Sequence, residues 1–408
     1  MQNILFLAHR VPFPPNRGDK IRAHHLLRKL AGLGRVHVGC FAETDEDRSG
    51  ALELGAVADS FTIVDRTKPL ALAGAQAIAS GKPVSLTAFH SAKLAQWVRK
   101  TISDKAIDTI VVFSGQMGQY VPDDFTGRVV IDLCDVDSAK FGNYADAGDR
   151  VWLNRREARL LAAEEERLTR RADATLLITK QEADLLRSRL SSLAHTNIQV
   201  MGNGIDAEFF DPSSIAAEPG IAARPGPHFV FTGQMDYRPN EQAAVWVAKT
   251  VLPLIRETLA SAEFHVVGRN PTAALLEFDR KNGVTVWGEV PDVRPYIAAA
   301  DCVLAPLMIA RGVQNKVLEA MAMRRPVVLT AEAATGIAAQ DGQHWHIAPS
   351  VAEEFAAAAV EMASDCGAQI AMGLAAREFV IEHHAWAAML EPLDRLIRSG
   401  GAEVRNAA

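Results

Sequence analysis

Cysteine is scarce in this 408-residue chain: Cys40, Cys134, Cys302 and Cys366 are all it has. They are scattered and mostly sit in apolar runs. That excludes a disulfide framework or a cysteine-ligated metal and reads as reduced core thiols, hence a cytoplasmic setting. Aromatic residues make up 6%, and 43 basic residues against 49 acidic ones leave a formal charge of −6. The chain therefore has neither the positive field nor the stacking platforms that nucleic acid requires, and no nucleic-acid partner is expected. Long apolar runs are missing too. Ala71 to Ala79, and Ile297 to Ala310 with Asp301 inside it, fall short of the roughly 20 residues a membrane-spanning helix needs, so any membrane contact is expected to be peripheral. ILFLA, from Ile4, runs straight into His9 and Arg10 without the longer apolar region and cleavage site of a signal peptide. No G-x-G-x-x-G follows that run, which argues against NAD or FAD there.

What is present is 49% hydrophobic residues over a length sufficient for two cores. Short β-branched runs alternate with longer amphipathic segments, as in ILFLA (4–8), a helix over 21–33 and VHVGCF (36–41). The unbroken apolar character of TIVVF (109–113), VVIDL (129–133) and TLLIT (175–179) suits strands of a parallel sheet covered on both faces. After IQVMGNGID (198–206) comes a proline-rich linker. The pattern then restarts with HFVFTG (228–233), FHVVG (264–268), VTVWG (284–288), CVLAP (302–306) and PVVLT (326–330). The expected fold class is α/β with two doubly wound, Rossmann-like domains, 1–205 and 206–385. An amphipathic closing helix over 386–397 opens a C-terminal segment, 386–408, that packs towards the first domain. Helix 152–171 mixes acids and bases and reads as solvated rather than as a membrane anchor.

The run RGVQNKVLEAMAMRRPVVLT, Arg311 to Thr330, reads as a loop, a helix and a buried strand directed at one ligand. Gly312 permits close backbone approach, Asn315 and Lys316 supply donors at a helix start, and the helix dipole favours an anion there. Glu319, one turn on, is an acceptor-only group suited to a vicinal diol such as a ribose. Gly233 and Gly268 end strands where open α/β sheets bind their ligands. A solvated Lys316–Glu319 surface pair is the alternative.

FTGQMDYRPN, FHVVGRNP, VTVWGEVPDVRPYIAAADCVLAP and RGVQNKVLEAMAMRRPVV, in this order after NGID, resemble the C-terminal half of retaining GT-B glycosyltransferases of family-four type. The N-terminal half, with ILFLAHRVPFPPNRGDKIRAHHLLRKL and VVIDLCDVDSAKF, is similar to the PEP-CTERM and exosortase-associated sugar transferases. The resemblance implies a GT-B fold, two domains facing a central cleft. It also implies transfer of a hexose from a nucleoside-diphosphate sugar to a glycan or lipid-linked saccharide with retention, in exopolysaccharide biosynthesis at the inner membrane face. It puts Glu319 on the nucleotide ribose and Gln314, Asn315, Lys316 and Val317 at the diphosphate. Arg238, after Gly233, becomes the second basic group, so that Arg238 and Lys316 stabilise the leaving diphosphate. Arg311 stands eight positions before Glu319, where the family carries the first Glu of its motif. It cannot repeat a carboxylate's role, but it can grip a diphosphate or a carboxylated sugar through a bidentate fork.

On the N-terminal side the resemblance puts Gly18 and Asp19 near donor phosphate or acceptor, and Arg17, Lys20 or Arg22 at an anionic acceptor. Of the adjacent His24 and His25, one at most looks into the cleft, and His24 is assigned to the acceptor side. Asp132 and Asp135 are the catalytic candidates beside the reacting carbon, with Asp137 in the same cluster; capping and loop hydrogen bonds are the alternative for each. No cofactor and no metal is expected, the nucleotide sugar being a co-substrate. Two rival readings are an epimerase or hydrolase acting on nucleotide sugars, and a non-catalytic sugar-binding protein.

Overall fold

The computed structural model describes residues 2–310 and 313–398. The chain divides into two compact units, residues 1–203 with 389–408, and residues 204–388.

The first unit is built on a seven-stranded parallel sheet of β1 (Gln2–Ala8), β2 (Gly34–Ala42), β3 (Ser60–Asp65), β4 (Thr109–Phe113), β5 (Arg128–Cys134), β6 (Ala174–Leu177) and β7 (Ile198–Val200). Their spatial order is β3-β2-β1-β4-β5-β6-β7. Ile4 to Ala8, Ile110 to Val112 and Val129 to Ile131 are fully buried, because helices cover both faces of the sheet. The order reverses between β1 and β4, and that switch point is where such sheets leave a crevice at their carboxyl ends.

The second unit repeats the plan with six parallel strands: β8 (His228–Thr232), β9 (Glu263–Val267), β10 (Val284–Gly288), β11 (Cys302–Ala305), β12 (Val327–Leu329) and β13 (His346–Ile347). The order β10-β9-β8-β11-β12-β13 sets its switch point between β8 and β11. The expected α/β class and the doubly wound plan are both present. A core of Phe229, Phe231, Phe264, Leu304, Leu329 and Phe355 lies around the sheet.

The single closing helix expected over 386–397 is instead two short ones, Trp386–Met389 and Pro392–Arg398. Pro392 drives its predecessor out of the helical region while suiting a first helical position itself, so the break falls between them. The second helix belongs to the first unit. Leu393 and Ile397 are fully buried, Asp394 pairs with Lys29 at 2.7 Å, and the Ile397 carbonyl accepts from Gln2 Nε2 at 2.9 Å.

Candidate functional site

At the switch point of the second unit, β8 runs into Gly233 (φ 153°) and β9 into Gly268 (φ 152°), backbone conformations that side-chain-bearing residues rarely adopt. A Cβ on Gly268 would stand 1.6 Å from the Gly233 carbonyl oxygen, and one on Gly233 would stand 3.1 Å from Lys316 Nζ. The two strand ends are therefore packed backbone to backbone, with the lysine immediately beside them. Lys316 arrives on the helix Asn315–Ala322 that follows β11. Its ammonium donates to Asn240 Oδ1 and lies 4.4 Å from the centre of the Phe231 ring. Asn240, in turn, is oriented by donating Nδ2–H to the Gln234 carbonyl at 2.9 Å.

Lys316 is only 9% exposed. Burial pulls its pKa down to about 8, against the opposing pull of the Glu319 charge. Glu319 is half-buried; desolvation pushes its carboxyl up to about 7, with Lys316 working the other way. The two sense each other through space, yet among the described residues neither makes a direct ion pair. An ammonium taken out of water, steadied by one amide oxygen and one ring face, gains most from an incoming anion. The start of its own helix adds dipole and amide donors on the same side. A carboxylate one turn along offers acceptors and no donor, which suits a diol.

The other residues expected at this site divide. Gln314 stands at the N-cap position of the helix and Asn315 is exposed at its first position. Val317 is corrected: its side chain is in the core and its amide already donates to the Gln314 carbonyl at 3.0 Å, so it offers a ligand nothing. Arg238 is exposed at the first position of the helix Arg238–Trp246, two residues ahead of Asn240. Arg311 and Gly312 lie outside the described residues.

In the first unit the loop after β1 brings several charges together. Asp19 receives His9 Nε2 at 3.2 Å, Arg17 Nε at 3.1 Å and the Arg10 guanidinium. Burial alone would raise its pKa, but the hydrogen bonds and charges of His9 and Arg10 win and hold it below the usual carboxylate range. Asp19 thus anchors a cationic loop. Gly18, beside it, faces open space. His24, half-buried, packs edge-on against Phe13 with ring centroids 4.8 Å apart. Lys20 and Arg22, expected to meet an anionic acceptor, are corrected. Lys20 pairs with Asp47 at 2.9 Å, and Arg22 with Asp132 at 2.8 Å, all four side chains being buried.

That last pair also corrects Asp132. It is 0% exposed, while Arg22 donates further to the Met201 and Gly202 carbonyls and to Asn203 Oδ1. A saturated, water-free carboxylate braces the end of the sheet and cannot reach a substrate. Asp135 is exposed, on the loop after β5. Desolvation, then Glu182 and Asp137, push its pKa upward.

His9 is the residue that sequence reasoning passed over. It stands at the carboxyl end of β1, 7% exposed, tilted against Phe113 at the end of β4 with centroids 5.4 Å apart. Its Nδ1 is buried without a hydrogen-bond partner. The first residue after the first strand of a doubly wound sheet is where a site residue is expected, and that rule was the available signal.

Among the described residues, the potential metal ligands that converge are His228, Glu263 and His265. They sit at the amino ends of β8 and β9, the opposite end of the sheet from Gly233 and Gly268. A hydrogen-bond chain already occupies them: Trp287 Nε1–H donates to His265 Nδ1 at 3.3 Å, and His265 Nε2 lies 3.1 Å from His228 Nδ1. His265 accordingly stays neutral, its pKa lowered to about 3 by burial and then by His228 and Arg224.

Residues 226–365, which include Gly233, Gly268, Lys316 and Glu319, match the family described as glycosyl transferases, group 1. Among solved structures the chain is similar to a sucrose-phosphate synthase from Thermosynechococcus elongatus (TM-score 0.61, 16% identity, covering 98% of each chain). It is likewise similar to a glycosyltransferase from Rickettsia africae ESF-5 (TM-score 0.61, 12% identity, 98% of this chain and 99% of that one). A third is Anabaena Alr3699/HepE in complex with UDP and glucose (TM-score 0.61, 14% identity, 98% of this chain and 100% of that one). No curated protein matches the chain in sequence. At such identities the structures speak to the fold, which is GT-B: two Rossmann-like units, each on a parallel sheet.

Proposed function

We propose that the chain is a retaining GT-B sugar transferase that takes a hexose from a nucleoside-diphosphate sugar and delivers it to a hydroxyl of a glycan or lipid-linked saccharide. The observation that carries this reading is Lys316: a desolvated ammonium beside Gly233, at a helix start, with Glu319 one turn further on. The match of residues 226–365 to group 1 glycosyl transferases supports it, and the UDP and glucose held by the Anabaena neighbour support a uridine nucleotide as the first donor to try.

In this mechanism the bond from the anomeric carbon to the diphosphate oxygen breaks as the acceptor oxygen bonds to that carbon, and the acceptor proton leaves with the diphosphate. Lys316, Arg238 and the amides at the start of the helix Asn315–Ala322 hold the diphosphate, where negative charge grows. Glu319 accepts the ribose hydroxyls. His9, Arg17, Gly18 and Asp135 form the acceptor side. The reaction needs no metal, because these groups supply the charge that a cation would. An exopolysaccharide role at the inner membrane face is carried by the likeness of the N-terminal half to exosortase-associated transferases.

Calorimetric titration with nucleoside diphosphates and turnover assays test the reading. Glu319→Ala should weaken nucleotide binding about tenfold to a hundredfold, the value of hydrogen bonds to a charged group. Lys316→Ala should lower turnover by about a hundredfold or more. Wild-type affinity in the first variant or wild-type rates in the second would remove the residue from its role. Nucleotide release without an added acceptor would replace transfer by hydrolysis. Activity lost to a chelator and restored by Mg²⁺ or Mn²⁺ would overturn metal independence, and an inverted anomeric signal in the product's NMR spectrum would overturn retention.

A further inference from the structure

The helix Leu70–Ser80, sequence LALAGAQAIAS, contains no charged residue. Ala73 and Ala77 alone are buried in it, while Leu70 is 67%, Leu72 49% and Ile78 57% exposed. An uncharged helix turning three large aliphatic side chains outward is an unusual surface for a water-soluble unit, where such groups are normally scattered singly. A second helix adjoins it. Near the start of the helix Val151–Arg171, the Arg156 guanidinium donates to the Ala77 carbonyl at 2.7 Å and to the Lys82 carbonyl at 3.1 Å. One turn earlier, on the same side of that helix, is Trp152, 68% exposed and preceded by the exposed Val151.

Three cations stand beside this apolar surface. Lys82 follows the first helix, and Arg155 and Arg159 lie three and seven residues after Trp152, sharing its exposed face. None of the three has an ion-pair or hydrogen-bond partner for its side-chain cation among the described residues. Of the acids in the stretch, the buried Glu157 accepts from the Val84 amide and from Arg156, while Asp149, whose backbone carbonyl accepts from Asn154 at 2.6 Å, and Asp146 are exposed. Between the first helix and its neighbours lies a hollow of about 370 Å³ edged by Lys68, Gln76, Ser80, Lys82 and His90. Desolvation, Lys68 and Lys82 together depress the His90 pKa, as expected where positive charge collects.

We propose that the helix Leu70–Ser80 and the first turns of the helix Val151–Arg171 form one docking face for an anionic phospholipid bilayer. Leu70, Leu72, Ile78 and Trp152 enter the boundary between headgroups and acyl chains, and Lys82, Arg155 and Arg159 meet lipid phosphates. A bilayer fits this surface because large exposed apolar groups and the unpaired cations Lys82, Arg155 and Arg159 occur side by side. That is the pairing interfacial binding uses, with an exposed tryptophan at the rim. The face belongs to the first unit, whereas Lys316 and Glu319 belong to the second, so its occupancy can be read without any sugar transfer.

Sedimentation of the full chain with vesicles tests the proposal. The chain should pellet with vesicles containing phosphatidylglycerol and remain in solution with pure phosphatidylcholine, and added salt should weaken the binding. The exposed double variant Leu72→Glu with Ile78→Glu, and separately Lys82→Glu with Arg155→Glu, should each lose about tenfold or more in vesicle affinity. Unchanged thermal melting and nucleotide titration would certify that these variants are folded. Wild-type protein left in the supernatant with anionic vesicles, or variants that sediment like wild type, would overturn the docking face. A wild-type dimer in light scattering that both variants split would overturn it too, by assigning the face to a second copy.

Discussion

Asp132 and Lys316 are both buried ions, and their surroundings decide what each is for. Asp132 is matched by Arg22, whose remaining donors are spent on three oxygens near residue 202. Lys316 has an amide oxygen and a ring face, and Glu319 acts on it only from a distance. A fully matched buried ion is architecture, and an undermatched one still gains from an incoming counter-charge. The sequence could place Lys316 because a helix start is written in neighbouring residues. It could not retire Asp132, because the residue that saturates it lies 110 positions away. Glu165 shows the same physics as a stability effect. Buried and bonded to Ser138 through the amide at 2.9 Å and the hydroxyl at 2.5 Å, it has its pKa raised to about 7 by desolvation. A carboxyl whose folded pKa is raised stabilises the fold fully below its unfolded value, here 4.5, and that contribution is lost as pH rises through about 7. Wild-type protein should therefore lose melting temperature between pH 5 and 8. Glu165→Gln, which removes the charge, keeps one oxygen to accept from the Ser138 amide and turns an NH2 donor towards the Ser138 hydroxyl, should lose about 3 °C less over the same range. Parallel melting curves for the two proteins would show that Glu165 is not the group responsible.

Most strands were readable one by one, since burial on two faces leaves runs such as Ile4–Ala8 and Val327–Leu329 apolar throughout; β3, a half-exposed edge strand, was not picked out. Their spatial order was not, because pairing β1 with β4 joins residues about a hundred positions apart and leaves no local mark. The two-residue β13 is too short to carry any periodicity. One helix break was missed although a proline marks it, because the apolar periodicity of 386–397 runs on across Pro392. At this scale the tightest constraint is the meeting of the β8 and β9 ends. Gly268→Ala must force a Cβ to within 1.6 Å of the Gly233 carbonyl oxygen in a backbone conformation that alanine avoids. It should cost about 3 kcal/mol or more in chemical denaturation and abolish nucleotide binding. Gly18→Ala, with nothing within 4 Å of the new carbon, should stay within about 0.5 kcal/mol of wild type. Equal stability of the two variants would mean that the strand ends can separate freely.

For the whole molecule the decisive fact is that the first unit is discontinuous: residues 1–203 are completed by a segment from Met389 onward, while the second unit is one uninterrupted stretch, 204–388. Buried Leu393 and Ile397, the Lys29–Asp394 pair and the Gln2 bond to Ile397 all close the first unit from the far end of the chain. A chain stopped after Ala388 should keep a protease-resistant second unit that still binds nucleotide, while its first unit melts at a lower temperature and is cleaved sooner. Equal protease resistance in both units would show the returning segment to be dispensable. On the ribosome, the same arrangement reverses the order of manufacture. The unit whose residues emerge first must wait, unfinished, until residues 389–398 have followed the whole of the second unit out. The second unit can thus be complete before the one that precedes it in the sequence, and the helix Pro392–Arg398 is the catch that closes the first.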